Sequence, residues 1–198
     1  MHWTDRILDA DRSAFLAING AHNPALDTLM WYVSGSVVWV PLYLLFLVLI
    51  KVRWGWRGLW WSLAAVAVLV LFTDTGSVLL FKNTVQRLRP SHATDLQGMV
   101  HALAGPDGQL YLGGDFGFVS NHAANHFGIA VFMAGVLQRR PVWAVLLLVT
   151  WALLIGYSRV YLGVHYPGDV IVGGLYGGLC GLCAFRLFLW MHQRSSAT

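Results

Sequence analysis

The chain contains a long apolar run, VIVGGLYGGLCGLCAFRLFLW, at residues 170–190. The run is long enough for the roughly 20 residues that a membrane-spanning helix requires, and Arg186 is its only charged residue. Gly173, Gly177 and Gly181 recur every four residues, so a helix places all three on one face. Small residues at this spacing let a second helix approach closely. We therefore predict a membrane helix that packs tightly against a neighbour.

Four further apolar segments precede this run, at about residues 29–50, 59–81, 127–137 and 142–157. No long stretch alternates polar and apolar residues as a strand does. Lipid also excludes an open sheet, because the backbone groups at the sheet edge would have no hydrogen-bond partner. The sequence therefore predicts an all-α fold, a polytopic membrane helix bundle of about five transmembrane helices in one domain covering residues 1–198.

The segment before the first apolar run has a different character. Residues 5–19 mix charged side chains with scattered apolar ones, which is typical of a helix that lies on a membrane surface. Asn23 and Pro24 then form a typical helix start, with Asn as the cap and Pro in the first turn. We predict an N-terminal interfacial helix within residues 1–22.

The composition supports a membrane protein and excludes several other classes. Hydrophobic residues make up 57% of the chain and charged residues 11%, and the mean hydropathy is +0.60. Soluble domains have about 25% charged residues, and so short a chain cannot bury this much apolar surface in one core. The net charge is +4, but the basic residues are scattered and form no stripe, so no nucleic-acid partner is expected.

The basic residues also predict how the bundle is oriented. If the five segments alternate, seven basic residues fall on one side of the membrane: Lys51, Arg53, Arg57, Arg139, Arg140, Arg186 and Arg194. Cytoplasmic loops carry an excess of Lys and Arg, so we assign this side to the cytoplasm. The N-terminal helix and a loop at about residues 90–119 are then external.

Three polar clusters lie at the ends of the predicted helices. They are KNTVQRLRPSH at residues 82–92, FVSNHAANH at 118–126 and SRVYLGVHYPGD at 158–169. An alternating bundle brings all three to the same, outer boundary of the membrane. Ionisable residues at such depth are costly and usually functional, so we expect one site built from the three clusters.

These clusters contain the residue types that phosphate chemistry uses. Arg offers a planar fork that matches phosphate oxygens, histidine titrates near neutrality, and a helix N-terminus favours an anion. The residues concerned are Lys82, Arg89, Arg159, His122, His165, Asp169 and Ser120. The sequence therefore predicts a phosphate site with acid, base and nucleophile candidates.

The order and spacing of these residues resemble a known family. Lys82-x6-Arg89-Pro90, then Ser120-Asn121-His122, then Ser158-Arg159-x5-His165-x3-Asp169 are similar to the three signature motifs of the type 2 phosphatidic acid phosphatase (PAP2) superfamily. The second motif departs from the usual Pro-Ser-Gly-His, because Val119 and Asn121 replace the proline and the glycine. The departure concerns the anion cradle and the head-group preference more than the reaction.

The resemblance implies a metal-independent membrane lipid phosphatase that needs no cofactor and forms a phosphohistidine intermediate. It makes His165 the nucleophile, Asp169 the residue that orients it, and His122 the acid that protonates the leaving oxygen and later activates water. It assigns phosphate binding to Lys82, Arg89, Ser120, Asn121 and Arg159. Together with the basic residues, it implies a bacterial inner membrane with the active site facing the periplasm or exterior.

The resemblance leaves the substrate open within lipid phosphates. The expected partners are a lipid phosphate substrate and membrane lipids, and the oligomeric state is open. Our first expectation is undecaprenyl diphosphate, with phosphatidylglycerol phosphate, phosphatidate and lipid A as alternatives. Vanadium haloperoxidases share the motifs but are soluble, which the apolar segments contradict. An anion-binding membrane transporter would explain charge at depth, but not the pairing of His165 with Asp169 opposite a second histidine.

Three further polar residues receive different expectations. His126 follows His122 by one helical turn, but a zinc hydrolase HExxH motif would need Glu where Ala123 stands, so we expect a structural or supporting role. Asp74 is expected either to support the site electrostatically or to bond a neighbouring helix. Arg87 is expected to be a solvated or head-group contact.

Overall fold

The computed structural model describes residues 2–105, 107–138 and 141–196. Within these ranges the regular elements are helices, and the extended pairings are two isolated bridges, Leu88 with Phe116 and Ala104 with Leu110. The all-α prediction is therefore confirmed. Arg139 and Arg140, which contribute to the predicted orientation, lie outside the described residues.

The chain forms seven α-helices within the described residues, and short turns connect some of them. Their bounds are α1 Trp3–Gly20, α2 Pro24–Ser34, α3 Val40–Gly76, α4 Asn83–Val85, α5 Asn121–Val136, α6 Val142–Tyr161 and α7 Pro167–Ser196. A π-helical turn, Ser77–Lys82, connects α3 to α4. Short 3-10 turns lie at Val37–Trp39, Pro90–His92 and Thr94–Leu96.

Three helical stretches in the described ranges are long and apolar enough to cross a membrane. They cover Val37–Val85, Val142–Tyr161 and Pro167–Ser195. The first reverses direction at Gly55, where φ is 69° and ψ is −174°. Phe46 before the reversal and Val66 after it line the same cavity, so α3 folds back as a hairpin. The two halves of α3, together with α5, α6 and α7, form a bundle of five helical segments. The predicted membrane fold is therefore confirmed.

The first predicted span differs from the structure. We expected one segment over residues 29–50, but α2 ends at Ser34 and α3 begins at Val40. Gly35 takes an extended conformation with φ −77° and ψ 141°, which stops the helix. A proline then lies in the first turn of α3, where its missing N–H costs nothing. Hydropathy does not detect this break, because the residues around it remain apolar.

Contacts at both ends of the bundle show in which direction each helical segment runs. Near the start of α3, Tyr43 bonds His126 of α5, and Trp54 at the end of that half donates to the Val136 carbonyl. The second half of α3 runs the opposite way, because Thr73 bonds Asn125 near the start of α5. The five helical segments therefore alternate in direction along the chain, which brings the polar clusters to one end of the bundle.

The closest helix pair in the bundle is α5 with α7. A Cβ built on Gly177 would lie 1.9 Å from the carbonyl oxygen of Ala124, and one on Gly181 would lie 2.3 Å from that of Gly128. Gly173 is similarly close to the Ser120 carbonyl, at 2.7 Å. The predicted glycine face and its close neighbour are therefore confirmed.

The N-terminal helix packs against the bundle with one face. Phe15 and Asn19 are completely buried, and Asn19 donates to the carbonyls of His101 and Tyr161 at 2.9 and 2.7 Å. The other face of α1 is exposed, with Trp3 and Ile7 more than half accessible. The predicted helix is therefore present, and its position at the membrane surface stays a prediction.

Two neighbouring glycines of α7 give a matched test of this packing. We expect Gly177→Ala to lower stability by about 1–3 kcal/mol, because the new methyl group overlaps backbone that cannot rotate away. Gly178→Ala is the control, since its Cβ would lie 3.8 Å from the Val131 side chain. Thermal unfolding in detergent should separate the two variants. Equal melting temperatures would contradict the packing.

Candidate active site

His165 and Asp169 form a buried pair at the start of α7. His165 lies in the turn before the helix and Asp169 in its first turn, with 2% and 0% of their surfaces exposed. The Nδ1 atom of His165 is 3.3 Å from Oδ2 of Asp169. The Tyr166 amide donates to the same oxygen at 3.0 Å, so the carboxylate is fixed relative to the ring.

Arg89 fixes the tautomer of His165 from the other side of the ring. Its Nη1 donates to the Val164 carbonyl at 3.0 Å and lies 2.9 Å from Nε2 of His165. A guanidinium can only donate, so Nε2 must carry the lone pair and Nδ1 the proton. That proton faces Asp169. This is the tautomer that a histidine nucleophile attacking through Nε2 requires.

The environment also keeps His165 neutral. Burial lowers the pKa of His165 well below its ordinary value of 6.5, and the positive charges of Arg89, Arg159 and Lys82 lower it further. The imidazole therefore keeps its lone pair at neutral and mildly acidic pH. Its readiness to attack an electrophile does not depend on a base that removes a proton first.

His122 lies on the first turn of α5, beside a cavity of about 310 Å³. Ser120 is the cap of this helix and accepts from the Ala123 amide at 3.4 Å. The positive charges of Arg159 and Arg89 act on His122, so all three polar clusters meet at one place. The cavity is lined by Trp31, Ser34, Gly35, Ser36, Tyr111, His122, Arg159 and Leu162.

Arg159 is held at the wall of this cavity. Its guanidinium donates to the hydroxyls of Ser34 and, at 2.7 Å, Tyr111. The Nε atoms of Arg89 and Arg159 are buried and have no hydrogen-bond partner among the residues that the structure describes. Buried donors are rarely left unpaired, and an anion between the two guanidinium groups would supply their acceptors.

The remaining predicted phosphate ligands occupy different positions. Lys82 is half-buried at the end of the π-helical turn and interacts electrostatically with Arg89, Asp74 and Asp169. The side chain of Asn121 donates to Asp74 at 3.2 Å, so its amide is already engaged. Phosphate binding by Asn121 stays a prediction, and the backbone amides of the first turn of α5 are the other donors there.

Asp74 and His126 both hold the start of α5 in place. Asp74 accepts from Asn121 and, at 3.1 Å, from Asn125, so it bonds a neighbouring helix, one of the two expected roles. His126 contacts the His122 carbonyl through Nδ1 at 2.7 Å and the Tyr43 hydroxyl through Nε2 at 3.2 Å. These contacts use both ring nitrogens and agree with a structural role.

The loop between α4 and α5 passes directly over the site. A Cβ on Gly117 would lie 2.9 Å from Oδ2 of Asp169, and one on Gly113 would lie 3.1 Å from the guanidinium of Arg89. Tyr111 of the same loop bonds Arg159. Glycine at these two positions therefore allows the loop backbone to cover the charged residues.

Two residues of the site were missed by the sequence analysis. Arg87 donates to Oδ1 of Asp169 at 3.1 Å and pairs with Asp11 of α1 at 2.7 Å. The prediction of Arg87 as a solvated or head-group contact is therefore wrong, because its side chain is only 19% exposed. An extended segment places Arg87 and Arg89 on the same side, which was a usable signal. Asp11 gave none.

Outside this site, the described residues contain one group with metal-ligand chemistry, His22, Asp27 and His101. Their ligand atoms lie within 4.8 Å of one another. The two imidazole rings are stacked at 3.7 Å with an interplanar angle of 6°, so their lone pairs run parallel instead of converging on one point. Asp27 also accepts from Tyr161 at 2.6 Å. The geometry favours a hydrogen-bonded junction between α2, α6 and the loop.

Residues 58–193 match the PAP2 superfamily. A lipid A 4'-phosphatase of Bacteroides thetaiotaomicron is 36% identical over 174 residues, 87% of this chain and 74% of that protein. A lipid A 4'-phosphatase of Porphyromonas gingivalis is 31% identical over 192 residues, 95% and 77% of the two chains. A putative undecaprenyl-diphosphatase of Escherichia coli is 37% identical over 81 residues, only 41% of this chain and 38% of that protein.

Two solved structures have the same fold. The crystal structure of Aquifex aeolicus LpxE superposes with a TM-score of 0.59 and 28% identity, covering 87% of this chain and 92% of that one. A PAP2-type phosphatidylglycerolphosphate phosphatase from Bacillus subtilis gives a TM-score of 0.65 over 92% and 86% of the chains. At 21% identity, the second likeness concerns the fold alone.

The chain therefore belongs to the PAP2 superfamily. It is an integral membrane protein and a lipid phosphatase of that superfamily, as the resemblance of its motifs implied. This assignment favours the enzyme over the anion transporter that we considered from the sequence.

The pKa of His165 predicts how stability depends on pH. The unfolded chain binds a proton at this residue below about pH 6.5, whereas the folded protein resists protonation there. The free energy of unfolding of the wild type should therefore fall as the pH drops below 6.5. His165→Asn should remove the part of this fall that is due to one proton, which is up to about 1.4 kcal/mol per pH unit. Melting temperatures in detergent between pH 7.5 and 5 test this. The other histidines cancel in the comparison, so parallel curves would contradict a neutral, buried His165.

Proposed function

We propose that the enzyme removes a phosphate group from a lipid through a covalent phosphohistidine on His165. The supporting observation is the fixed chain Arg89–His165–Asp169, which leaves the Nε2 lone pair next to two cations. A substrate phosphate bound between Arg89 and Arg159 would meet this lone pair. The Arg89 donor would then shift from Nε2 to a phosphate oxygen, which frees the lone pair for attack.

The chemical steps use the residues in the following order. Nε2 of His165 attacks phosphorus as the bond to the lipid oxygen breaks, and His122 gives that oxygen a proton. Asp169 stabilises the positive charge that develops on the imidazole. His122, now neutral, takes a proton from water, which attacks the phosphohistidine and releases inorganic phosphate. The cations Lys82, Arg89 and Arg159 neutralise the equatorial oxygens.

We propose a lipid A-type substrate, meaning a phosphate ester on a lipid-linked sugar. The two lipid A 4'-phosphatases are similar to this chain along most of both sequences. Undecaprenyl diphosphate, our first expectation, is supported only by partial matches that cover 41% and 32% of the chain. The cavity wall also supports a sugar, because Trp31 and Tyr111 meet edge to face at 5.6 Å beside Arg159. Aromatic walls of this kind offer an apolar surface for a sugar ring next to polar anchors.

We further propose that the site faces the periplasm, across a bacterial inner membrane. Lys51, Arg53 and Arg57 flank the reversal at Gly55, and Trp54 beside them bonds the end of α5 that is remote from the site. An excess of basic residues marks the cytoplasmic side, so the opposite end, with the polar clusters, is external.

Phosphate release from a panel of lipids tests the substrate and the nucleophile together. The detergent-solubilised protein should release phosphate from lipid A bisphosphate in the presence of a chelator, and more slowly from undecaprenyl diphosphate, phosphatidylglycerol phosphate and phosphatidate. Mass spectrometry of the product identifies the sugar position that loses phosphate. Faster turnover of undecaprenyl diphosphate than of lipid A would overturn the substrate proposal.

The nucleophile is tested by substituting single histidines. His165→Ala should lower kcat by roughly a thousandfold or more, because no other group can form the covalent intermediate. His92→Ala is the control, since His92 lies in the loop beside Ser91 and the exposed Asp115 and should leave turnover unchanged. Near-normal turnover of His165→Ala would show that the reaction does not pass through this residue.

A further inference from the structure

We propose that Arg87 and Asp11 are positioning residues for the reaction, and that α1 is thereby a working part of the active site. The two residues form an ion-pair chain that begins on the N-terminal helix and ends on Asp169. The inference rests on the proposed function, because it takes His165 as the nucleophile and Asp169 as the carboxylate that orients it.

The chain of contacts is continuous. Oδ1 of Asp11 accepts from the Gly168 amide at 2.7 Å, and Oδ2 of Asp11 lies 2.7 Å from Nη1 of Arg87. The same Nη1 donates to Oδ1 of Asp169 at 3.1 Å. Oδ2 of Asp169 then faces Nδ1 of His165 at 3.3 Å. Three side chains from three separate parts of the sequence, Asp11, Arg87 and Asp169, therefore act on the orientation of one imidazole.

Each oxygen of Asp169 has its own task in this arrangement. Oδ2 holds His165 and the Tyr166 amide, whereas Oδ1 is bound by Arg87. Asp169 is completely buried, and a buried carboxylate without a cation is strongly unfavourable. Arg87 supplies that cation without occupying the oxygen that His165 needs. It therefore keeps Asp169 ionised and prevents it from rotating away from the imidazole.

Asp11 and Tyr166 in turn fix Arg87. The guanidinium lies 3.7 Å from the centre of the Tyr166 ring, which limits its rotation. Asp11 balances its charge, and the bond from Asp11 to the Gly168 amide joins α1 to the first turn of α7. Two carboxylates therefore share one guanidinium. The electrostatic attraction between Arg87 and Asp169 thus depends on both the charge and the position of Asp11.

The chain offers a matched control on the same helix. Arg12, next to Asp11, pairs with Asp95 at 2.5 Å, but these side chains are 37% and 59% exposed and do not touch the site. Exposed pairs of this kind contribute little to stability. Asp95→Asn therefore removes an ion pair of α1 and leaves the contacts from Asp11 through Arg87 to Asp169 intact.

Steady-state kinetics of four variants test the proposal with the best substrate of the lipid panel. We expect Arg87→Met to lower kcat by roughly a hundredfold with KM changed less than about threefold, because Arg87 acts on the reacting pair and not on substrate. Arg87→Lys keeps the charge and should recover part of the loss. Asp11→Asn keeps the acceptor for Gly168 but loses the charge, and should lower kcat by roughly tenfold. Asp95→Asn should match the wild type.

The pH profile separates positioning from mere folding. Arg89, Arg159 and Lys82 act on His165 from the substrate side, while Arg87 acts through Asp169 and Asp11 faces Arg87. Without the positive charge of Arg87, the buried Asp169 takes up a proton more readily and no longer stabilises the positive charge that develops on His165. The acid limb of kcat/KM should therefore move to higher pH in Arg87→Met. The acid limb should stay in place in Asp95→Asn.

The outcomes distinguish this inference from the proposed function. If His165→Ala is inactive while Asp11→Asn and Arg87→Lys keep wild-type kcat and pH profile, the positioning role is wrong and the nucleophile stands. If His165→Ala keeps its turnover, both proposals fall. If Arg87→Met does not fold, Asp11→Asn and Arg87→Lys still decide, because neither leaves a buried carboxylate without a cation.

Discussion

The contact between the first turns of α5 and α7 is the constraint on which the site depends. The glycine face of α7 lets the two backbones approach until Gly173 meets the Ser120 carbonyl. At this distance the Ser120 amide donates to the Asp169 carbonyl at 3.0 Å, so two polar clusters are joined directly through their backbones. A larger residue at Gly173 or Gly177 would move His122 and Asp169 apart. Tight membrane packing and catalytic geometry therefore have the same cause.

The arginines at this end of the bundle differ in how far their positive charge is already paired. Arg159, which lines the cavity, and Arg89, which contacts His165, have buried Nε donors without hydrogen-bond partners among the described residues. Arg87, on the other side of Asp169, is paired with two carboxylates through one nitrogen, Nη1. Positive charge is thus available where an anionic group would enter, and neutralised where it would compete for Asp169.

Much of the site could be predicted from the sequence, because the motif residues lie at helix ends and an alternating bundle brings helix ends together. His165 and Asp169 are four residues apart at the start of α7, so their pairing follows from local spacing. The missed residues depend on tertiary contacts. Asp11 reaches Arg87 and the Gly168 amide only because α1 packs against the start of α7. A surface helix of mixed charge gives no sign of which carboxylate will be buried. The break after Ser34 was missed for a related reason, since hydropathy averages over a glycine that changes the backbone direction.

The most direct test of the account is to trap the covalent intermediate. In His122→Ala, a substrate with an acidic leaving group, such as p-nitrophenyl phosphate, needs no proton from His122 to react. Water activation is lost, however, so the phosphoenzyme should accumulate. Rapid quenching at alkaline pH, followed by mass spectrometry, should find an acid-labile phosphate on the peptide that contains His165. Acid-stable phosphate on Ser120, or turnover with no phosphopeptide and no burst of p-nitrophenol, would contradict a reaction that passes through His165.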